Sequence, residues 1–132
     1  MKKAFLLVVP LFCACATKSE LRNLPSDAGT KGVYKEPYEK VRLAAQDSTA
    51  ELGFKVNPKD QSLGSESEYW YIGSQGVSSG SRYVRVRLSK GAETTVFIAV
   101  RSKTESREAM QTDDLIEKDL HKRIAGRLAA AK

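Results

Sequence analysis

Three sets of residues in this 132-residue chain are of types that carry chemistry: two cysteines, one histidine, and a group of acids close to that histidine. Cys13 and Cys15 stand two positions apart, and no cysteine follows Cys15. A disulfide framework would spread an even set of cysteines through the fold, and a Cys or Cys/His metal centre would need ligands that the rest of the chain does not supply. Both are excluded. The single histidine, His121, lies one residue from an apolar helical stripe and is expected at a solvated helix position rather than as a catalytic base. Asp113, Asp114 and Glu117 make a carboxylate cluster, which the attraction of acids to the positive end of a helix dipole accounts for. No nucleophile elbow, phosphate loop or metal motif is present. The expectation is no catalysis, no cofactor and no metal.

The cysteines gain a meaning from what precedes them. Met1-Lys2-Lys3 is a short positive region, and Ala4 to Phe12 (AFLLVVPLF) is a nine-residue apolar run. That run is too short to cross a hydrocarbon core of about 30 Å as a helix, and has the size of a secretion-signal apolar region. Pro10 further argues against a continuous membrane helix. The following Leu11-Phe12-Cys13-Ala14-Cys15 resembles the end of a bacterial lipoprotein signal, where a leucine and two small residues precede an acylated cysteine. Cys15 has the small Ala14 before it, whereas Cys13 has Phe12, so Cys15 is the expected lipidation site and Cys13 the alternative. Phe12 occupies the leucine-like position and Cys13 the slot between, which departs from the pattern. Ala14-Cys15-Ala16 also reads as a site for ordinary signal peptidase, which would release a soluble periplasmic chain. The resemblance implies residues 1–15 as signal, a membrane anchor of several acyl chains, and, with Ala16 rather than Asp after the cysteine, an outer-membrane location facing the periplasm.

Composition adds little. The chain holds 22 basic and 16 acidic residues, two of the basic ones being Lys2 and Lys3 of the leader, and the remaining excess is spread in mixed-sign runs. That balance does not point to nucleic acid.

The stretch 16–36 mixes charge with Pro25, Gly29 and Gly32, and reads as a flexible tether that would hold a domain roughly 25 Å from its anchor. Its weaker alternative is an extra strand, with Val33 and Tyr34 docking. Residues 37–132 read as one domain. Pro37 opens a helix in which Tyr38, Val41, Ala45, Ser48 and Leu52 share a stripe, with Gly53 at the C-terminal cap. Phe54 and Val56 make a short strand ended by Asn57-Pro58, and Glu68 to Ile72 a second, aromatic one. Gly73 to Ser81 reads as a flexible loop. Val84, Val86 and Leu88 alternate in a third strand, and Val96, Ile98 and Val100 in a fourth. Placing Val86 opposite Val96 and Val84 opposite Ile98 leaves the three-residue turn Lys90-Gly91-Ala92. A second helix is expected from an N-cap at Thr112, with Ile116, Leu120, Ile124 and Leu128 in its stripe and Leu115 beside them. The expected fold class is α+β: a two-layer sandwich, four antiparallel strands with two helices on one face, in the order α-β-β-β-β-α.

The opposite face of that sheet is the expected binding surface. Its register sets Tyr83, Arg85 and Arg87 beside Ala99, Phe97 and Thr95, with Arg101 at the end, and the second strand adds either Tyr69 and Tyr71 or Trp70 and Ile72. Arginines among aromatic rings on an open sheet hold several nucleic-acid binders to their ligands. Outside the cytoplasm the alternative role is a module binding an anionic envelope polymer, a lipid head group or a small ligand through this face. The same alternation is also what any half-exposed antiparallel strand shows, with arginine stems shielding Phe97.

The run Tyr38 to Leu128, roughly two thirds of the chain, is similar to small bacterial lipoproteins of unknown function. The shared pattern is Leu52-Gly53-Phe54 before a turn with Lys59-Asp60, a strand meander, and a final Ile116 to Leu128 helix. The loop Gly73 to Ser81 departs from it. The resemblance carries no catalytic residues. The whole reading is a membrane-anchored, non-catalytic envelope protein with a protein or envelope-polymer partner and no nucleic acid; oligomeric state is not legible.

Overall fold

The computed structural model describes residues 18–62, 67–77, 80–103 and 106–130. In chain order the elements are a short helix α1 (18–23), β1 (Thr30–Tyr34), α2 (Tyr38–Glu51), β2 (Lys55–Ser62), β3 (Glu68–Val77), β4 (Gly80–Lys90), β5 (Thr94–Ser102) and α3 (Arg107–Ala130). The fold is α+β, with a sheet of five antiparallel strands in the order β1-β5-β4-β3-β2. The four-stranded sheet expected from the sequence gains β1, and the two expected helices gain α1. Both additions come from the stretch expected as a tether, where Leu21 and Tyr34 are buried.

Each strand is antiparallel to its neighbour, so β1 and β2, at opposite edges, run in the same direction, and α2 joins them. The helix begins directly after Pro37 and ends in a Schellman arrangement: Gly53 has φ +89°, its N–H donates to Ala50 O, and the Phe54 N–H to Thr49 O. Glycine tolerates that left-handed turn, and Phe54 is thereby dropped into the core.

One continuous core lies between the helices and one sheet face. It joins Val41, Ala44 and Ala45 of α2, Leu120, Ile124 and Leu128 of α3, and Tyr71, Val84, Val86, Leu88, Val96, Ile98 and Val100 of the strands. The expected stripes hold, except that Leu115 points outward and is 64% exposed. A smaller cluster on the other face packs Leu21 against Ile72 and Ala99, with Leu24, Trp70 and Tyr83 around it. This settles the aromatic strand: Tyr69 and Tyr71 face the helices, Trp70 and Ile72 face α1.

Four boundaries differ from expectation, each for a local reason. The β4–β5 hairpin pairs Val86 with Ile98 and Val84 with Val100, and its turn is Gly91-Ala92-Glu93. A period of two selects the buried face but not between registers two residues apart. β2 continues past Asn57-Pro58 through an irregularity between Val56 and Gln61, tolerated because an edge strand can accommodate a proline. Most of Gly73 to Ser81 is strand, paired from Gly73–Val84 to Val77–Gly80. Finally, α3 starts at Arg107 with Ser106 as cap, its Oγ accepting the Ala109 N–H, while the Thr112 hydroxyl donates to Glu108 O inside the helix.

Candidate functional site

The five residues expected to form a binding face are not all available to a partner. On β4 and β5 the facing pairs are Tyr83–Arg101, Arg85–Ala99 and Arg87–Phe97, shifted from expectation by the register correction. Arg85 is only 3% exposed. Its guanidinium donates to the carbonyls of Leu21 and Leu24 at 3.0 Å and of Pro25 at 2.8 Å. These carbonyls belong to the last turn of α1 and the residues after it, where a cation is favoured by the helix dipole and the unpaired oxygens. Burial, and then the nearby Arg87 and Arg101, push the Arg85 pKa down; the three carbonyls oppose that penalty.

The remaining four residues divide. Tyr83 packs on the Leu21 cluster. Arg101 turns toward α3, donating to Val100 O at 2.9 Å and lying 3.6 Å from the Glu117 carboxylate. Arg87 pairs with the exposed Glu68 at 3.0 Å. Thus Arg85 is closed off, while Tyr83, Arg87, Phe97 and Arg101 each stay half-buried on this face. The arginine–aromatic surface is in large part the seat of α1.

The second candidate site is on α3, and its chemistry is structural. β1 pairs with β5 only from Thr94 to Ile98, so the outward N–H groups of Val100 and Ser102 have no strand beside them. Glu117 accepts the Val100 N–H at 2.9 Å and, through its other oxygen, the Thr30 hydroxyl at 2.6 Å. Asp113 accepts the Ser102 N–H at 3.0 Å, the Ser102 hydroxyl at 2.6 Å and Arg82 Nε at 3.3 Å. Both carboxylates are buried. They are four residues apart and so stack on one helix face. Their placement belongs to the sheet edge rather than to a helix start, because α3 begins a turn and a half earlier than expected.

His121 continues that row four residues on, and it is not solvated. The Thr30 carbonyl can only accept, so Nε2 carries the proton and donates to it at 2.7 Å; Nδ1 then accepts the Tyr34 hydroxyl at 2.6 Å. Burial lowers the His121 pKa, outweighing the Thr30 bond and Glu117, which act upward. Burial and Glu36 raise Tyr34 to about 12. Both rings are therefore held neutral, and neither histidine nitrogen is left to meet a substrate. Gly32 makes room for the ring: a Cβ there would stand 2.4 Å from Nδ1. The sequence carried a signal for this row, since Asp113, Glu117 and His121 repeat at four beside Ile116, Leu120 and Ile124.

Among the surface pockets, one of about 550 Å³ sits between Lys35–Glu39 and the β4–β5 turn. Another of about 340 Å³ is lined by Arg101, Asp113, Asp114 and Glu117. A third, about 290 Å³, opens between α2 and β2 and is lined without any charged residue, by Gln46, Ala50, Phe54, Val56, Pro58, Gln61, Tyr69 and Tyr71. At its floor the Tyr69 hydroxyl receives the Gln46 amide at 2.9 Å and donates to Gln61 at 3.0 Å. Among the described residues no group of three or more His, Cys, Asp or Glu is placed to hold a metal, and no helix is long and apolar enough to cross a membrane. The expected lipidation site Cys15 lies outside the described residues, three positions before Lys18.

Compared with known proteins, the chain matches no protein family, no curated protein and no solved structure.

Proposed function

We propose that the chain is a lipid-anchored protein of the bacterial envelope whose domain acts by binding a protein or envelope-polymer partner and not by catalysis. The observation that carries this reading is the junction at residue 18. Lys18, already in α1, is three residues after Cys15, so the expected acylation site lies close along the chain to an element of the domain. Support for a non-catalytic role is chemical. The histidine and the two buried carboxylates, the groups best suited to proton transfer, are each held by backbone or hydroxyl partners of the fold. On this reading the anchor is Cys15, with the outer membrane facing the periplasm as the destination.

Metabolic labelling with an alkyne analogue of palmitate tests the anchor. Label on the wild type should persist in Cys13→Ser and vanish in Cys15→Ser; wild type without label overturns the proposal. Photo-crosslinking in intact cells with mass spectrometry then tests the partner, where one recurrent protein or glycan neighbour is expected.

A small-ligand module is a second reading, favoured by the uncharged pocket between α2 and β2. Neutral walls with a phenol and two carboxamides suit a neutral, partly apolar molecule. Filling it with Ala50→Trp should abolish any ligand-induced rise in melting temperature.

A further inference from the structure

We infer that the β2 edge of the sheet, together with α1, is the face that rests on anionic lipid headgroups, and that α3 points away from the membrane. The inference deepens the anchoring proposed above and rests on it.

Reach comes first. Three residues fully extended span at most about 10 Å, so an acylated Cys15 brings Lys18 within that distance of the lipid surface. Lys18 does not lie loose on the domain. Its ammonium and the Arg22 guanidinium, one helical turn on, both grip the Asp60 carboxylate of β2, which is almost wholly buried beneath them. Leu21, between them, is sunk in the sheet. The start of α1 is thereby fixed beside β2, and an anchor attached to one is attached to the other. A flexible tether would have left every face of the domain equally free to meet the membrane; a three-residue link to a pinned helix does not.

Charge then selects the orientation. Lys18, Arg22, Lys55 and Lys59 gather on α1 and β2, against Asp60 and the exposed Glu20. Asp60 offsets one of the four, and Lys55 and Lys59, both exposed, have no acidic partner among the described residues. Among the described residues the far edge carries no such pair of unpartnered lysines beside its acids. There α3 packs beside β5 and β1, and Asp113, Asp114 and Glu117 are paired with Arg82, Lys118 and Arg101. An anionic surface attracts basic side chains only within about a Debye length of 8 Å. The short link holds the β2 edge, with its unpaired lysines, inside that range and leaves the charge-paired far edge outside it. β2 is also suited to lie against headgroups because Pro58 and its broken register keep it from recruiting a further strand.

The native lysines are the probe. The chain from Cys15 onward holds one cysteine, so it can be coupled by that thiol to a maleimide-headgroup lipid, whatever happens in cells. Vesicles of phosphatidylethanolamine with phosphatidylglycerol are compared with phosphatidylcholine alone, and acetylation of each lysine is followed by mass spectrometry. On the anionic vesicles Lys55 and Lys59 should react about fivefold more slowly than Lys118 and Lys122 of α3, with the difference fading at about 0.5 M salt. The double variant Lys55→Glu, Lys59→Glu should lose the salt-sensitive protection of Lys18. Equal rates for all four lysines overturn the orientation even if Cys15 is acylated. Failure of palmitate labelling in cells overturns the anchoring beneath it, and the two failures are read separately.

Discussion

Glu117 of α3 accepts the backbone N–H of Val100 at 2.9 Å, at the point where β1 has ended and β5 has no strand beside it. Asp113, one turn earlier, takes the Ser102 N–H in the same way. A helix thus finishes this stretch of β5 with side chains, and the Val100 and Ser102 donors are closed to another chain. The row ends in His121, which ties α3 to β1 through Thr30 and Tyr34.

If Glu117 works as an acceptor, Glu117→Ala should cost about 2 kcal/mol, the penalty for a buried N–H left without a partner. Glu117→Gln keeps an amide oxygen for Val100 and should cost about half as much. Urea unfolding at unchanged slope measures both. A Gln variant as unstable as the Ala variant would show that the ion pair with Arg101, not the backbone bond, is what matters.

The buried histidine gives stability a pH dependence of known sign. Folding lowers the His121 pKa, so as pH falls the unfolded chain protonates first, near the ordinary histidine value of about 6.5. The unfolded state then binds more protons, and stability drops from there down to the folded pKa and levels off below it. The melting temperature should therefore fall between about pH 7.5 and 5. His121→Gln, which can still donate to Thr30 and accept from Tyr34, should show a shallower fall over that range. Parallel curves for the two proteins would exclude the histidine as its source.

Two glycines of β1 and its approach should resist substitution for different reasons. Gly29 has φ +95°, and a Cβ there would meet Ile98 O at 2.2 Å. Gly29→Ala should thus lose about 2 kcal/mol or more, since neither backbone can yield. At Gly32 the obstacle is the His121 ring, a side chain that can swing out. Gly32→Ala should be milder, and it should move the histidine pKa, read by NMR, back toward its ordinary value. A Gly32→Ala variant with the wild-type histidine titration would mean the ring does not depend on that gap.

How far the sequence could be read depended on whether a feature is written in a period. The stripes of α2 and α3 and the inward valines of β4 and β5 repeat at helical or strand spacing, so their faces were legible. The five-strand count was not, because β1 is only five residues long and, although its burial alternates, its residue types do not: Tyr34 is its one buried large side chain and the apolar Val33 faces out. The turn between β4 and β5 moved by one residue because alternation fixes a face and not a register. Arg85 was misjudged for a deeper reason. Its position in the pattern is that of an exposed residue, and only the arrival of α1, from sixty residues earlier in the chain, buries it. Of the candidate residues, Cys15 is proposed only from the apolar run before it, and in the Asp113–Glu117–His121 row the acids were credited to the helix dipole and the histidine to a solvated position.

The docking of α1 yields the sharpest prediction, because one cation and one leucine should be coupled. Arg85→Ala removes the donor to three carbonyls and should cost about 2 kcal/mol, whereas Arg87→Ala, breaking an exposed pair with Glu68, should stay within about 0.5 kcal/mol. Leu21→Ala, in a fully buried position, should by itself cost about 2–5 kcal/mol if α1 stayed in place. It need not stay. α1 is short and joins the sheet at few points, so once either contact is lost the segment can lift while the five-stranded sheet persists, and no further loss follows from removing the other. The double variant should therefore cost clearly less than the sum of the singles, with a coupling energy of about 1 kcal/mol or more. Trp70, packed beside Leu21 and the only tryptophan in the chain, reports the same event: its emission should shift to longer wavelength in either single variant, and no further in the double. Strictly additive losses would mean that Arg85 and Leu21 do not hold a common element.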